Sequence, residues 1–201
     1  MPLIDFHTHR PTAEGIITPR CFGIHPWDCD QTLPPQLSTL NSQFESAEII
    51  GECGLDRCCD TPWPLQMEVF EWQIETAERL RKPMVIHCVH AFNELIALRK
   101  KHTATPWVVH GFTGSVQLYQ QLLDHGIEVS FGAAILDQRK KKVRETLAAA
   151  NPENIFLETD DSGADISEIY SAAAGLLNIE LSRLQDIIGT HYHNILAISA
   201  L

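Results

Sequence analysis

The stretch Ile49-Ile50-Gly51-Glu52, the helical pattern from about Trp63 to Arg81, and Pro83-Met84-Val85-Ile86-His87 together decide the fold class. The two apolar runs are strand-length and rich in β-branched residues. Between them Leu65, Val69, Trp72, Ile74, Ala77 and Leu80 recur at helical spacing; Pro62 and Pro64 suit a helix start, and Pro83 marks the next strand. The same alternation continues outward. Further strand-length runs are Leu3-Ile4-Asp5-Phe6, Cys21-Phe22-Gly23-Ile24, Trp107-Val108-Val109, Ile127-Glu128-Val129-Ser130-Phe131 and Ile155-Phe156-Leu157. Further helix patterns cover roughly 33–44, 91–101, 115–124, 137–150, 165–176, 180–188 and 191–200. Strands alternating with helices mean βα units around a parallel sheet. The seven strands are one fewer than the eight of a (β/α)8 barrel, whose lower size limit is about 200 residues. The expected fold is therefore an α/β TIM-type barrel with one βα unit reduced or missing, and an open doubly wound sheet is the alternative. No Gly-rich phosphate loop follows any strand, which removes the usual support for the open sheet. With no repeat or linker, residues 1–201 are expected to form one domain.

The chain has 201 residues, 44% apolar and 20% charged, and 26 acidic against 15 basic side chains give a net charge of −11. This composition excludes disorder and collagen-like sequence, and no run approaches the ~20 apolar residues of a membrane span. Met1-Pro2-Leu3-Ile4-Asp5 reaches an acid too early for a signal peptide, so a cytoplasmic location is expected, with Cys21, Cys29, Cys53, Cys58, Cys59 and Cys88 as reduced thiols. The acidic balance argues against a surface built to grip a DNA duplex, but bound divalent ions can supply positive charge locally. The run Arg139-Lys140-Lys141-Lys142, with Arg144, reads first as a solvated helix face and second as a phosphate-gripping one.

Chemistry is written at the strand ends. Asp5-x-His7-x-His9 lies on the first strand, Glu52 follows Ile49-Ile50-Gly51, His87 follows Met84-Val85-Ile86, His110 follows Val108-Val109, and Asp160 follows Leu157-Glu158-Thr159. In a parallel barrel all strand C-termini meet at one mouth, so ligands scattered along the chain converge. Residues two apart on a strand face the same way, which sends Asp5, His7 and His9 inward together. The six candidate ligands His7, His9, Glu52, His87, His110 and Asp160 exceed one tetrahedral site and suit two divalent ions, with hydrolysis as the implied reaction. Zn, Mn, Fe or Ni suits such a mixed set, and Mg suits it less well. Trp27, beside His25-Pro26, is a candidate stacking residue, whereas Trp63, Trp72 and Trp107 have the spacing of packing residues. His191-Tyr192-His193 copies the His-x-His spacing but reads as the start of the last helix.

These residues carry a resemblance. Asp5-Phe6-His7-Thr8-His9, Gly23-Ile24-His25-Pro26, Ile50-Gly51-Glu52-Cys53-Gly54-Leu55-Asp56, the Gln66, Phe70, Gln73 and Ala77 series, Pro83 to His87, Val109-His110-Gly111-Phe112-Thr113-Gly114, Leu157-Glu158-Thr159-Asp160 and Asn194 resemble the TatD family of metal-dependent hydrolases. The resemblance implies a TIM-barrel, metal-dependent deoxyribonuclease. It implies that His7, His9, Glu52 and Asp160 hold one ion and Glu52, His87 and His110 the second, with Glu52 bridging. It further implies that Asp160 accepts the proton of the attacking water, and that His25 positions a phosphate or leaving group.

Three departures stand out. Only 13 residues separate His9 from Gly23, too few for the family's usual helix and strand. Val89 stands where the family has a phosphate-contacting Arg, a role Arg57 is expected to take instead. Asp161 adds a carboxylate to an acidic mouth, which would repel a polyanion. The expected function is phosphodiester hydrolysis on single-stranded or frayed DNA ends. The alternatives are a two-metal hydrolase of a small ester, amide or lactone, and a non-catalytic metal-binding barrel whose open flank invites a partner or a homo-oligomer.

Overall fold

The computed structural model describes residues 1–10, 13–30, 37 and 39–197. Its eight strands are β1 (Leu3–Ile4), β2 (Ile16–Ile17), β3 (Cys21–Phe22), β4 (Ile49–Asp56), β5 (Met84–Val89), β6 (Trp107–Val109), β7 (Ile127–Phe131) and β8 (Ile155–Leu157). The helices are α1 (Asn41–Ser46), α2 (Trp63–Leu80), α3 (Phe92–Arg99), α4 (Val116–Leu123), α5 (Lys141–Ala148), α6 (Ile166–Leu177) and α7 (Leu181–Ala197). Two compact units result, one of Met1–Pro19 with Val109–Ile195, the other mainly of Arg20–Val108. No helix among the described residues is long and apolar enough to cross a membrane.

In the Arg20–Val108 unit the strand order is β3-β4-β5-β6, and β4 runs parallel to both β3 and β5. Ile49, Ile50, Leu55, Val69, Phe70, Ile74 and Ile86 are fully buried between strands and α2, so β4 is apolar on both faces, as a covered parallel strand must be. The sequence stops this strand at Gly51, but the structure carries it to Asp56. Glycine permits the extension: a Cβ on Gly51 would lie 2.2 Å from the Val85 carbonyl oxygen, and one on Gly54, at φ +143°, 2.0 Å from that of His87. The described part of the expected helix 33–44 is 3-10 backbone at 37, 39 and 40 leading into the start of α1, and the rest lies outside the described residues.

In the other unit β7 pairs with β8 in parallel and β1 with β2. The Phe6 N–H donates to the Leu157 carbonyl at 3.0 Å and Thr8 bridges Asp160, so β1 continues alongside β8. Phe6 and Phe156 stack at 4.0 Å in this core. The short His9-to-Gly23 connection keeps a two-residue strand, β2, ahead of β3, and no helix appears among its described residues. The helices expected over 180–188 and 191–200 are one continuous α7 through Ala197. Gly189 interrupts the sequence pattern but not the helix, because its missing side chain admits Met1, whose Sδ would stand 2.9 Å from a Cβ there. His191 is thus mid-helix, stacked on Phe156 at 4.6 Å and bonded to Glu128 at 2.8 Å.

Gly54→Ala is expected to cost at least about 3 kcal/mol, a fall in Tm of roughly 6–12 °C for a chain of this size. Gly175→Ala, in α6 with nothing within 4 Å of the new Cβ, is expected to be neutral or to stabilise by up to about 1 kcal/mol. Thermal melts of the two variants check both.

Candidate metal centre

In the Arg20–Val108 unit, one ligand atom each of His25, Glu52 and His87 lie within 4.8 Å of one another. Glu52 lies within β4, His87 within β5 and His25 just past the end of β3, and these three strands are neighbours in the sheet, which is why residues far apart in sequence meet. Two glutamines of α2 fix the backbone beneath them. Gln73 accepts from the Ile24 N–H at 2.7 Å and donates to the Ile24 carbonyl at 3.1 Å, while Gln66 does the same for Asp56 at 2.8 and 2.9 Å.

Glu52 Oε1 stands 3.1 Å from His25 Nε2 and 2.9 Å from His87 Nδ1. The other His87 nitrogen, Nε2, faces Asp56 Oδ2 at 3.2 Å, and the Trp27 indole N–H donates to that same oxygen at 2.7 Å. Asp56 is 2% exposed. Burial alone would raise its carboxyl, but the hydrogen bonds from Trp27, the Cys58 N–H and His87 outweigh this and hold it below the usual carboxylate range. An imidazole that offers one nitrogen to a cation and the other to a carboxylate is the arrangement that orients metal-binding histidines.

In the other unit, ligand atoms of His7, His110 and Asp160 lie within 4.8 Å of one another. His9 Nε2 reaches Asp160 Oδ1 at 3.6 Å. Asp160 has a left-handed backbone, φ +50°, a conformation that costs energy in a non-glycine residue. It is held there by its N–H to the His7 carbonyl at 2.9 Å and by the Thr8 hydroxyl on its own carbonyl at 3.2 Å. Behind His110 lies Glu158, fully buried, 3.5 Å from Nδ1 and accepting the Gly111 N–H at 2.5 Å. Burial would raise Glu158, but His110 and His7 outweigh it and keep the carboxyl below its ordinary value. Asp5 differs from its neighbours in role. Its oxygens accept the Thr159 N–H at 2.8 Å and the Thr159 hydroxyl at 2.6 Å, tying β1 to β8, and burial pushes its carboxyl up.

All six sequence-derived ligands therefore stand in or beside one of two His/carboxylate groups. Within the two units His25, expected to position a phosphate or leaving group, lies with Glu52 and His87, and His110, expected on the second ion, lies with His7 and Asp160. Asp56 had no assigned role, although its even spacing, four residues beyond Glu52 on β4, puts it on the same face; Glu158, just past the end of β8, had none either. Arg57 is next to Val89, to whose carbonyl its N–H donates at 3.1 Å, but its guanidinium pairs with Glu94 and sits 4.0 Å above the Trp63 ring. A phosphate there would have to displace Glu94. Asp161 is paired with Arg10 at 3.8 Å, which offsets part of the charge it adds. Trp107 packs near Phe70 and Trp72 near Phe44, as packing residues do. No disulfide joins the six cysteines; burial pushes Cys53 well up and Cys29 and Cys88 to about 12, which leaves them poor thiolate ligands.

The family model for TatD related DNase matches residues 13–168 of this chain. The chain belongs to the TatD-related DNase family. Among TatD relatives, the human 3'-5' RNA nuclease TATDN2 is 34% identical over 147 residues, which is 69% of this chain and 19% of that protein. The 3'-5' ssDNA/RNA exonuclease TatD of Salmonella typhimurium is 30% identical over 156 residues, 71% of this chain and 58% of that one. The chain thus matches a fifth of the human protein and little more than half of the bacterial one. Among solved structures, the TatD homologue YJJV of Escherichia coli superposes with a TM-score of 0.77 at 21% identity, over 91% of this chain and 77% of that chain. A TatD family hydrolase of Entamoeba histolytica gives 0.73 at 17% identity, over 90% and 74%. These likenesses carry the fold, the TIM-type α/β barrel class expected from the strand–helix alternation.

Proposed function

We propose that the chain is a divalent-metal-dependent hydrolase of phosphodiester bonds that acts on single-stranded nucleic acid ends. The observation that carries this is the pair of His/carboxylate groups, each with a buried carboxylate behind one imidazole: Asp56 behind His87 and Glu158 behind His110. The donors fit Zn, Mn, Fe or Ni, because imidazole and carboxylate atoms converge within one ion's reach and the orienting carboxylates favour the imidazole as a ligand. His7, His9, His110 and Asp160 would hold one ion and His25, Glu52 and His87 the other, with Glu52 the carboxylate that family resemblance gives to both. Bound there, divalent ions supply Lewis acidity and acidify a water.

The chain's own groups do the rest. Asp160 is only partly buried, with His9 beside it, so it can accept a proton from an incoming water and pass it on. Trp27, 64% exposed, keeps its indole edge fixed on Asp56 and leaves a ring face for an unstacked base. The nuclease names of the relatives support a nucleic acid substrate. A small-ester substrate is the second possibility, favoured by the engagement of Arg57 with Glu94.

Digestion of an end-labelled single-stranded oligonucleotide with Mg, Mn or Zn added tests the proposal. Metal-dependent shortening from one end is expected. No shortening by folded, metal-loaded protein that still cleaves a small carboxylic ester would replace the nucleic acid with a small molecule.

A further inference from the structure

The polarity of α5 is opposite to what a helix prefers. Lys140 is its N-cap, with no side-chain cap bond, Lys141 and Lys142 open the first turn with no acid among them, and the last turn carries no base. Cations belong at the negative C-terminal end of a helix, and carboxylates or other anions at its N-terminal end. The neighbouring Arg139 is neutralised by Asp137, at 2.9 and 3.0 Å, and Arg144 is spent on the Ile135 carbonyl. The three lysines are exposed, and among the described residues no ion pair or hydrogen bond engages their ammonium groups, although the charge of Lys140 helps to lower the Asp137 carboxyl. In a chain of net charge −11, three adjacent exposed cations at the wrong end of a helix are a local conflict, and such conflicts concentrate at functional positions.

Arg139, Lys140, Lys141 and Lys142 also line one groove, about 440 Å³, together with Thr113. Thr113 follows the metal-centre residue His110 by three residues, within about 11 Å of chain. The Thr146 hydroxyl donates to the Gly114 carbonyl at 3.0 Å, so α5 is fastened to the segment that carries His110 and Thr113. The basic groove therefore has a fixed place beside one metal-binding group.

We propose that this groove holds the phosphodiester backbone of the single-stranded nucleic acid whose end is hydrolysed, with Lys140, Lys141 and Lys142 each neutralising one phosphate. The proposal rests on the nuclease reading above. It supplies, from another element, the phosphate contact that Val89 lacks. The solvated helix face read from the sequence becomes the strand-holding surface.

The test is fluorescence-anisotropy binding of a labelled single-stranded 20-mer, in calcium to suppress cleavage, between 50 and 200 mM salt. Wild type is compared with Lys140→Gln/Lys141→Gln/Lys142→Gln, with the corresponding triple Arg variant, and with Lys100→Gln/Lys101→Gln as a control that removes two exposed lysines elsewhere. Each phosphate contact adds about −0.7 to the slope of log affinity against log salt for a single strand. The triple Gln variant should therefore be shallower by about 2, so that the fourfold rise in salt costs wild type about twentyfold more affinity than it costs the variant. The Arg variant and the Lys100/Lys101 control should keep the wild-type slope. Parallel slopes for wild type and the triple Gln variant, or no binding by wild type, would overturn the proposal. Hydrolysis of the small diester bis(p-nitrophenyl) phosphate, measured alongside, separates the two levels: the triple Gln variant should cleave it at the wild-type rate. A wild type that cleaves the small diester but binds no 20-mer would leave phosphodiester hydrolysis standing and remove the groove's role; equal loss on both substrates would make the lysines structural and overturn it too.

Discussion

Glu52→Gln is expected to lower hydrolysis of a single-stranded oligonucleotide by about a thousandfold or more while the fold persists. The glutamine keeps the shape of the side chain and can still bond to His25 and His87, which stand 3.1 and 2.9 Å from Oε1, so packing around β4 is retained. What is lost is the negative charge between the two imidazoles. Without it a divalent cation would meet two imidazoles and an amide. Lewis-acid stabilisation of a phosphoryl transition state is worth several kcal/mol, and about 4 kcal/mol is a thousandfold in rate. Circular dichroism and the melting curve check the fold, and oligonucleotide digestion checks the rate. A variant that digests as wild type does would remove Glu52 from the chemistry.

Asp56→Asn is expected to weaken metal binding by about 10–100-fold, with a matching loss of activity that added metal restores. The carboxylate serves three donors at once: the Trp27 indole N–H and His87 Nε2 on Oδ2, and the Cys58 N–H on Oδ1. Asparagine has one acceptor oxygen and an amide that only donates, so at least one of these donors must face another donor. His87 then loses either its orientation or the partner that makes it a stronger ligand. Trp27→Phe separates the two consequences, since it removes the indole N–H and leaves the Asp56–His87 pair. It should keep wild-type metal affinity. If Asp56→Asn binds metal as tightly as wild type, or if saturating metal fails to restore its rate, Asp56 does not act through His87.

The parts legible in sequence were those written by local pattern. The run from Trp63 to Arg81 is a helix because its apolar residues repeat along one face, and Pro83 closes it; the structure ends α2 at Leu80 with Arg81 in the left-handed conformation. His7, His9, Glu52, His87, His110 and Asp160 were legible because each follows an apolar strand run. What was not legible depends on close approach. The extension of β4 through Gly51 and Gly54 is visible only against the carbonyls of β5, and the passage of α7 through Gly189 only against Met1. Pairing was also hidden. Strand order puts His25 with Glu52 and His87, and only the fold shows that Glu94 and Trp63 engage Arg57. Lys140 to Lys142 read as solvent-facing from their charge and are exposed, whereas the groove they line is visible only in the fold.

The most direct test is the metal content of the purified chain by inductively coupled plasma mass spectrometry, after loading with Mn or Zn and removal of excess, with Glu52→Gln and Asp160→Asn run in parallel. Two ions per wild-type chain are predicted, with fewer in each variant in step with its loss of hydrolysis. Wild-type protein that retains no divalent metal and still cleaves the oligonucleotide, or variants that keep both ions and full activity, would contradict metal-dependent hydrolysis by these residues.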